Sequence, residues 1–178
     1  MRDLLRLFGQ IALSRRGPQD LPASALLLAI TVACYIAVAF GMSTLLPPVD
    51  SWRGQLFVEV AFSLVWYAIL VRAFGKPERY LQTATAMFGY QLILAPPLIA
   101  IMSIVRRLPE DSGWAMPVAL IAIALLIWTV RAGTYVLKAA LELPIVACVA
   151  LIFAEILASQ LVLLLIFDPT TTPTPTPG

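Results

Sequence analysis

Five polar side chains lie inside long apolar stretches of the chain, where a membrane-spanning segment would surround them with hydrocarbon. They are Thr31, Glu59, Gln91, Glu155 and Gln160. A charged group at the centre of a bilayer costs at least ~2.5–3.5 kcal/mol on insertion scales, so these side chains are expected to face other helices. A carboxyl group held in low dielectric can exchange protons, which makes Glu59 and Glu155 candidates for a proton- or ion-binding site.

The same residues also allow a packing interpretation. Protonated carboxyls and amides can hydrogen-bond between helices, and each such bond contributes about 0.6–2 kcal/mol. Counting along the predicted spans places Thr31, Gln91 and Glu155 about 15 Å from the inner surface, with Glu59 and Gln160 nearer the outer one. Two carboxyls without any histidine in the chain make a poor proton relay, which favours the packing interpretation.

Composition places the chain in the membrane. It has 178 residues, of which 61% are hydrophobic and 12% charged, and its mean hydropathy is +0.92. A globular protein has about 45–50% apolar and about 25% charged residues. The net charge of +2 comes without a basic, aromatic-rich patch, so no nucleic-acid partner is expected.

Soluble-enzyme chemistry has little support. Histidine, the commonest metal ligand and general base, is absent, and no glycine-rich phosphate loop or spaced cysteine set occurs. We therefore predict no catalytic residues, no metal site and no cofactor.

Five apolar segments are long enough to cross a hydrocarbon core of about 30 Å, which needs about 20 residues. They predict an all-α, polytopic bundle of five transmembrane helices over residues 21–167. The segments are approximately 22–46, 55–73, 81–105, 115–130, with a possible extension through residues 134–137, and 144–167. Glycine or proline lies in every connection, as expected where helices end.

Basic residues predict the orientation. With the N-terminus inside, nine of the twelve Lys and Arg residues fall on the cytoplasmic side, and only Arg53, Arg106 and Arg107 fall outside. The positive-inside rule therefore favours five spans with the N-terminus cytoplasmic and the C-terminus outside.

The chain on either side of the bundle has a different character. Residues 1–20 place apolar side chains on one side of a helix and polar ones on the other, which predicts an interfacial amphipathic helix and turn. Its arginines are predicted to bind anionic lipid headgroups; they are Arg2, Arg6, Arg15 and Arg16. Residues 168–178 are rich in Pro and Thr and are predicted to be disordered.

The third span carries a second pattern of special residues. Gly89 allows the backbone of another helix to approach closely, and Tyr90 adds a hydroxyl group next to the amide of Gln91. Pro96 and Pro97 remove hydrogen bonds from the helix ladder, which neighbouring helices are then expected to replace. The stretch predicts a helix-packing junction.

The segment FGYQLILAPPL at 88–98 and the segment IWTVRAGTYVLKAAL at 127–141 resemble the Yip family of five-span, Rab-interacting membrane proteins, which has many bacterial relatives. The resemblance extends over about residues 22–167. It implies a compact helical scaffold in a bacterial cytoplasmic membrane. The long cytosolic N-terminal domain of eukaryotic members has no counterpart here, so Rab binding is not expected.

We predict from these observations a non-enzymatic, Yip-like scaffold or adaptor that organises membrane-protein partners, copies of itself or lipid. The alternative is a small transporter or channel subunit that uses the intramembrane carboxylates.

Overall fold

A computed structural model describes residues 2–45, 51–109 and 112–167, and the described residues form helices without any strand. The helices are α1 (Arg2–Ala12), α2 (Ala25–Met42), α3 (Trp52–Ala73), α4 (Tyr80–Arg107), α5 (Ala115–Leu141) and α6 (Ile145–Phe167). All but α1 are long and apolar enough to cross a membrane. The predicted all-α architecture with five spanning helices is confirmed. The tail at 168–178 and the side chain of Arg2 lie outside the described part.

Helix boundaries follow local chemistry. Ser24 precedes α2, and its Oγ accepts a hydrogen bond from the Leu27 amide at 3.3 Å, which satisfies one of the free donors at a helix start. Just after the C-terminal end of α3, Gly75 has a left-handed φ of 71°, which residues with a side chain rarely adopt, so the chain turns there.

Helices α5 and α4 show how far the spans continue past residues that could end a helix. Helix α5 continues past Arg131 to Leu141, so it includes the possible extension through residues 134–137 and four residues beyond it. Helix α4 runs through Pro96 and Pro97 without interruption, although neither proline has an N–H group to donate to the hydrogen-bond ladder. In hydrocarbon no water competes for the remaining backbone groups, so the helix persists on both sides of the prolines.

Helix α4 lies at the centre of the bundle. It contacts α1, α2, α3 and α5, while α6 packs between α3 and α5. Helix α2 is peripheral, with Thr31 as its only buried residue. The connections α3–α4 and α5–α6 lie at the end of the bundle that carries α1, here called the α1 end; the opposite end is the distal end.

An ion-pair cluster joins the two connections at the α1 end. Glu142 pairs with Lys76 and, at 2.9 Å, with Arg79. The Arg79 guanidinium also donates to the carbonyls of Ala139 and Ala140 at 3.1 and 3.0 Å, which caps the C-terminal end of α5. Hydrogen bonds from Lys76 and Arg79 hold the pKa of Glu142 below its usual value.

Helix α1 packs against protein with its apolar side. Phe8, Ile11 and Ala12 are buried against the bundle, and the Trp128 indole donates to the Ala12 carbonyl at 2.8 Å. The sequence predicted that this side would rest in the membrane interface. Small residues on α4 explain the difference, since Gly89 leaves room for the Phe8 ring: a Cβ there would lie 2.4 Å from Phe8 Cδ1. On the polar side, Arg6 and Gln10 are exposed, as are Arg15 and Arg16 after the helix.

The tightest packing is in the α1 half of the bundle. Eight consecutive residues of α4, 83–90, are buried, so other elements surround the helix on every side. On α5 the buried residues likewise gather near the C-terminal end, from Ala132 to Leu141. Alanine, glycine and threonine dominate these segments, because small side chains let backbones approach closely.

Candidate intramembrane polar site

A cavity of about 160 Å³ lies inside the bundle, and eight polar side chains line it. All five spanning helices contribute to its wall. Its polar lining consists of Tyr35, Glu59, Ser63, Tyr90, Gln91, Thr129, Glu155 and Ser159. The structure thus brings together Glu59, Gln91 and Glu155, which the sequence analysis had divided between two levels.

Glu155 forms the inner wall of the cavity. It is only 9% exposed, and the buried Tyr67 hydroxyl donates to its Oε1 at 2.6 Å. The Ser63 side chain is a second hydrogen-bonding partner of Glu155. Glu155 and Ser159 lie four residues apart on α6 and therefore share the face that meets the cavity.

Glu59 lines the same cavity, and as a residue it is more exposed than Glu155. Along α3 it is followed at four-residue intervals by Ser63 and Tyr67, so the three side chains occupy neighbouring turns of one helix face. This polar row connects the exposed carboxyl of Glu59 with the buried carboxyl of Glu155.

Aromatic rings close the cavity toward the α1 end. The Phe88 ring meets the ring of Tyr35 edge-on, with centroids 5.4 Å apart, and that of Tyr67 with centroids 6.5 Å apart. Tyr67 and Phe88 are fully buried, and the dense core of the α1 half lies beyond them. The cavity is therefore closed on the side that faces the α1 end.

The residues predicted as a packing junction occupy different surroundings. Gly89 and Tyr90 are buried, and Tyr90 fits against Gly133 of α5, where a Cβ would lie 2.7 Å from the tyrosine oxygen. Pro96 is half-buried and Pro97 is exposed, so the two prolines do not form a buried junction. The close approach of helices depends on the glycines.

Thr31 and Gln160 do not join the site. Thr31 is buried, but its hydroxyl donates to the Leu27 carbonyl of its own helix at 2.8 Å. Gln160 is exposed on the outer surface of α6, whereas it was expected to face another helix. The depth of a residue follows from its position in a span, but its direction depends on how the helix is rotated.

Ser63, Tyr67 and Thr129 were not predicted as part of the site. The four-residue spacing of Glu59, Ser63 and Tyr67 was a usable signal, since it places all three on one helix face. Thr129 offered no such signal. Its hydroxyl donates to the Leu125 carbonyl at 2.9 Å, as threonine commonly does within helices.

The chemistry available to the cavity is that of two carboxyls, hydroxyls and one amide. Among the described residues, His, Cys, Asp and Glu form no group of three or more that could hold a metal ion. Cys34 and Cys148 are free thiols. No family model, curated protein or solved structure matches the chain. The protein is an integral membrane protein by the length and composition of its helices.

Proposed function

We propose that the protein binds a proton or a small monovalent cation in the intramembrane cavity and takes part in its transport. The observation that supports this best is that Glu59 and Glu155 line one cavity, Glu59 as an exposed residue and Glu155 as a buried one. Ionisable residues within membrane spans are costly and usually serve an ion or proton pathway. Catalytic residues are not part of the proposal.

The two carboxyls have different tasks in this proposal. Glu59 attracts the cation first, because it is the more exposed of the two carboxyl residues. Glu155 then receives it, while Tyr67 and Ser63 hold the accepting carboxyl in place by their hydrogen bonds. The closed aromatic side requires a conformational change before release toward the α1 end, as alternating access demands.

A flux assay in proteoliposomes tests the proposal. Glu155→Gln keeps the shape of the side chain but removes its ability to ionise, so uptake of protons or sodium ions measured with a fluorescent indicator should fall by about tenfold or more. Glu59→Gln should reduce uptake less, because Glu59 is more exposed. Glu78→Gln makes the same chemical change at an exposed site outside the spans and should leave uptake unchanged.

Equal uptake by the wild-type protein, Glu155→Gln and protein-free vesicles would refute the transport proposal. The carboxyls would then serve packing alone. The Tyr67 bond to Glu155 would in that case act as an interhelical hydrogen bond between α3 and α6.

Gln160 favours a second function, that of a Yip-like scaffold for membrane partners. Its amide is exposed on α6, has no hydrogen bond within the described chain, and would face hydrocarbon in the isolated protein. Exposed residues at alternating intervals of four and three flank it on the same face; they are Val146, Ala150, Phe153, Leu157 and Leu164. Such a stripe with one amide fits a partner helix, and an amide can both donate to and accept from a second copy of itself.

The scaffold function predicts that Gln160→Leu weakens association. Cross-linking in native membranes, followed by purification and mass measurement, should show less complex with Gln160→Leu than with wild type. Leu26→Ala on the exposed surface of α2 serves as the control and should leave the complex unchanged. An unaltered complex in Gln160→Leu would argue against α6 as the contact.

The surface of the α1 end supports a cytoplasmic orientation within a bacterial inner membrane, in line with the charge bias of the sequence. Arg6, Arg15 and Arg16 are exposed there and are positioned for anionic headgroups. Labelling of single cysteines at positions 6 and 113 from either side of a sealed membrane tests this orientation. The cysteine at position 6 should be labelled only by reagent added on the cytoplasmic side. The reverse result would mean that the topology is the opposite of the proposed one.

A further inference from the structure

A second cavity, of about 380 Å³, lies at the α1 end, between α5, α6 and the residues that follow α1. It shares only Val130 with the lining of the carboxyl cavity. Its polar side chains come from Ser14, Arg131, Thr134, Tyr135 and Lys138. None of these residues has a task in the proposed cation pathway.

Positive charge is concentrated on one side of this cavity. Arg131, Tyr135 and Lys138 are spaced by four and three residues and share a face of α5. Neither cation forms an ion pair within the described chain, and the cavity lining there includes no acidic residue. Glu142, one turn beyond Lys138, is already held by Lys76 and Arg79. The two charges are thus left for a ligand.

Two hydroxyl groups in the wall lack partners. Thr134 is 6% exposed, and both its Oγ1 and the Oγ of Ser14 are buried without a hydrogen bond. Buried polar groups are almost always hydrogen-bonded, so an unsatisfied pair in one cavity calls for an external acceptor. An oxygen-rich anion would supply acceptors for both hydroxyls.

The remaining lining is apolar. Ile127 and Val130 extend the cavity along α5 toward the bilayer centre, and Ile145 and Val149 line it from α6. A soluble anion would make no favourable contact with this apolar half of the cavity. A molecule with a charged head and a hydrocarbon chain satisfies both halves.

We propose that this cavity binds an anionic glycerophospholipid. The phosphate oxygens accept hydrogen bonds from Arg131, Lys138 and the hydroxyls of Ser14 and Thr134, and an acyl chain lies between α5 and α6. The net positive charge of the site selects an anionic over a zwitterionic headgroup. This site is independent of the cation pathway, because it uses neither Glu59 nor Glu155.

Lipid retention measured by native mass spectrometry tests the proposal. The full-length protein is released from nanodiscs that contain phosphatidylglycerol and phosphatidylcholine in equal amounts. Wild type should retain phosphatidylglycerol selectively, and Arg131→Gln with Lys138→Gln should lower its affinity by about 30-fold, as expected for the loss of two cations near an anionic headgroup. Arg106→Gln with Arg107→Gln removes the same charge at the distal end and should change retention less than about twofold.

A milder variant separates binding from folding. Thr134→Val removes one unsatisfied hydroxyl at nearly constant size, so the lipid-free protein should unfold at the same or a higher temperature while phosphatidylglycerol retention falls about tenfold. Inorganic phosphate at millimolar concentration should not displace the lipid, because it lacks the acyl chain. If inorganic phosphate displaces the lipid, the ligand of this cavity is a soluble anion and the lipid proposal is wrong. Wild-type retention in both variants would overturn the proposal.

Discussion

The α1 half of the bundle and its distal half differ in what fills the space between the helices. In the α1 half, small residues of α4 and α5 bring backbones together, and the apolar side of α1 completes the core. From the middle of the bundle toward the distal end, a polar cavity separates the helices. The α1 half thus holds the bundle together, while the cavity keeps open the polar space in which we propose that an ion binds.

The largest expected effect concerns the contact between α1 and α4. Phe8→Ala empties the site that the ring occupies beside Gly89, and a buried Phe→Ala change costs about 3–5 kcal/mol of unfolding free energy. Unfolding in mixed micelles measures the loss. Leu13→Ala, on the same segment but 45% exposed, should cost less than about 0.5 kcal/mol. If the two variants are equally stable, the apolar side of α1 does not contribute to the core.

The next effect concerns the contact between α4 and α5. A Cβ at residue 133 would lie 2.7 Å from the Tyr90 oxygen and 3.0 Å from Ile152 Cδ1, so Gly133→Ala should destabilise the protein by about 1–3 kcal/mol. A Cβ at Gly41 would meet nothing within 4 Å, so Gly41→Ala is the matched control and should be neutral. Thermal unfolding in detergent distinguishes them. A destabilising Gly41→Ala would mean that the distal half is as closely packed as the α1 half.

A smaller effect is expected where the two halves meet. Tyr67→Phe removes the hydroxyl that donates to Glu155, and interhelical hydrogen bonds in membranes contribute about 0.6–1.7 kcal/mol. Tyr80→Phe, on a half-buried tyrosine at the α1 end, provides the control. Differential unfolding of the two variants measures the bond. If Tyr67→Phe also abolishes cation uptake at unchanged stability, the hydroxyl positions Glu155 for transport.

The smallest effect is the pH dependence of the ion-pair cluster at the α1 end. The folded protein lowers the pKa of Glu142 from 4.5, so its stabilising contribution is present above that value and is lost as the pH falls through the lowered pKa. Wild type should therefore unfold at a higher temperature than Glu142→Gln at neutral pH, and the difference should shrink in acid. Glu78→Gln, at a nearby exposed carboxyl, controls for net charge. A difference that grows in acid would contradict the assigned sign.

Several features of the fold were predictable because they depend on local chemistry. The five spans follow from the length of apolar segments, and glycine and proline marked every connection. Glu59, Gln91 and Glu155 were recognised because polar residues in hydrocarbon are costly at any position. Gln160 shows the limit of this argument, since its cost was evident but its exposed direction was not.

The length of the apolar segments was enough to predict a helical membrane protein with five spans and a few polar residues at depth, because a helix satisfies its own backbone hydrogen bonds in hydrocarbon. Three features became evident only from how the helices pack: which polar residues share a cavity, the burial of the apolar side of α1 in protein, and the second cavity with Arg131 and Lys138 in its wall. The depth of a residue in the membrane follows from its position along a span. Which neighbour it contacts depends instead on the rotation of its helix about the helix axis. Packing against neighbouring helices sets that rotation.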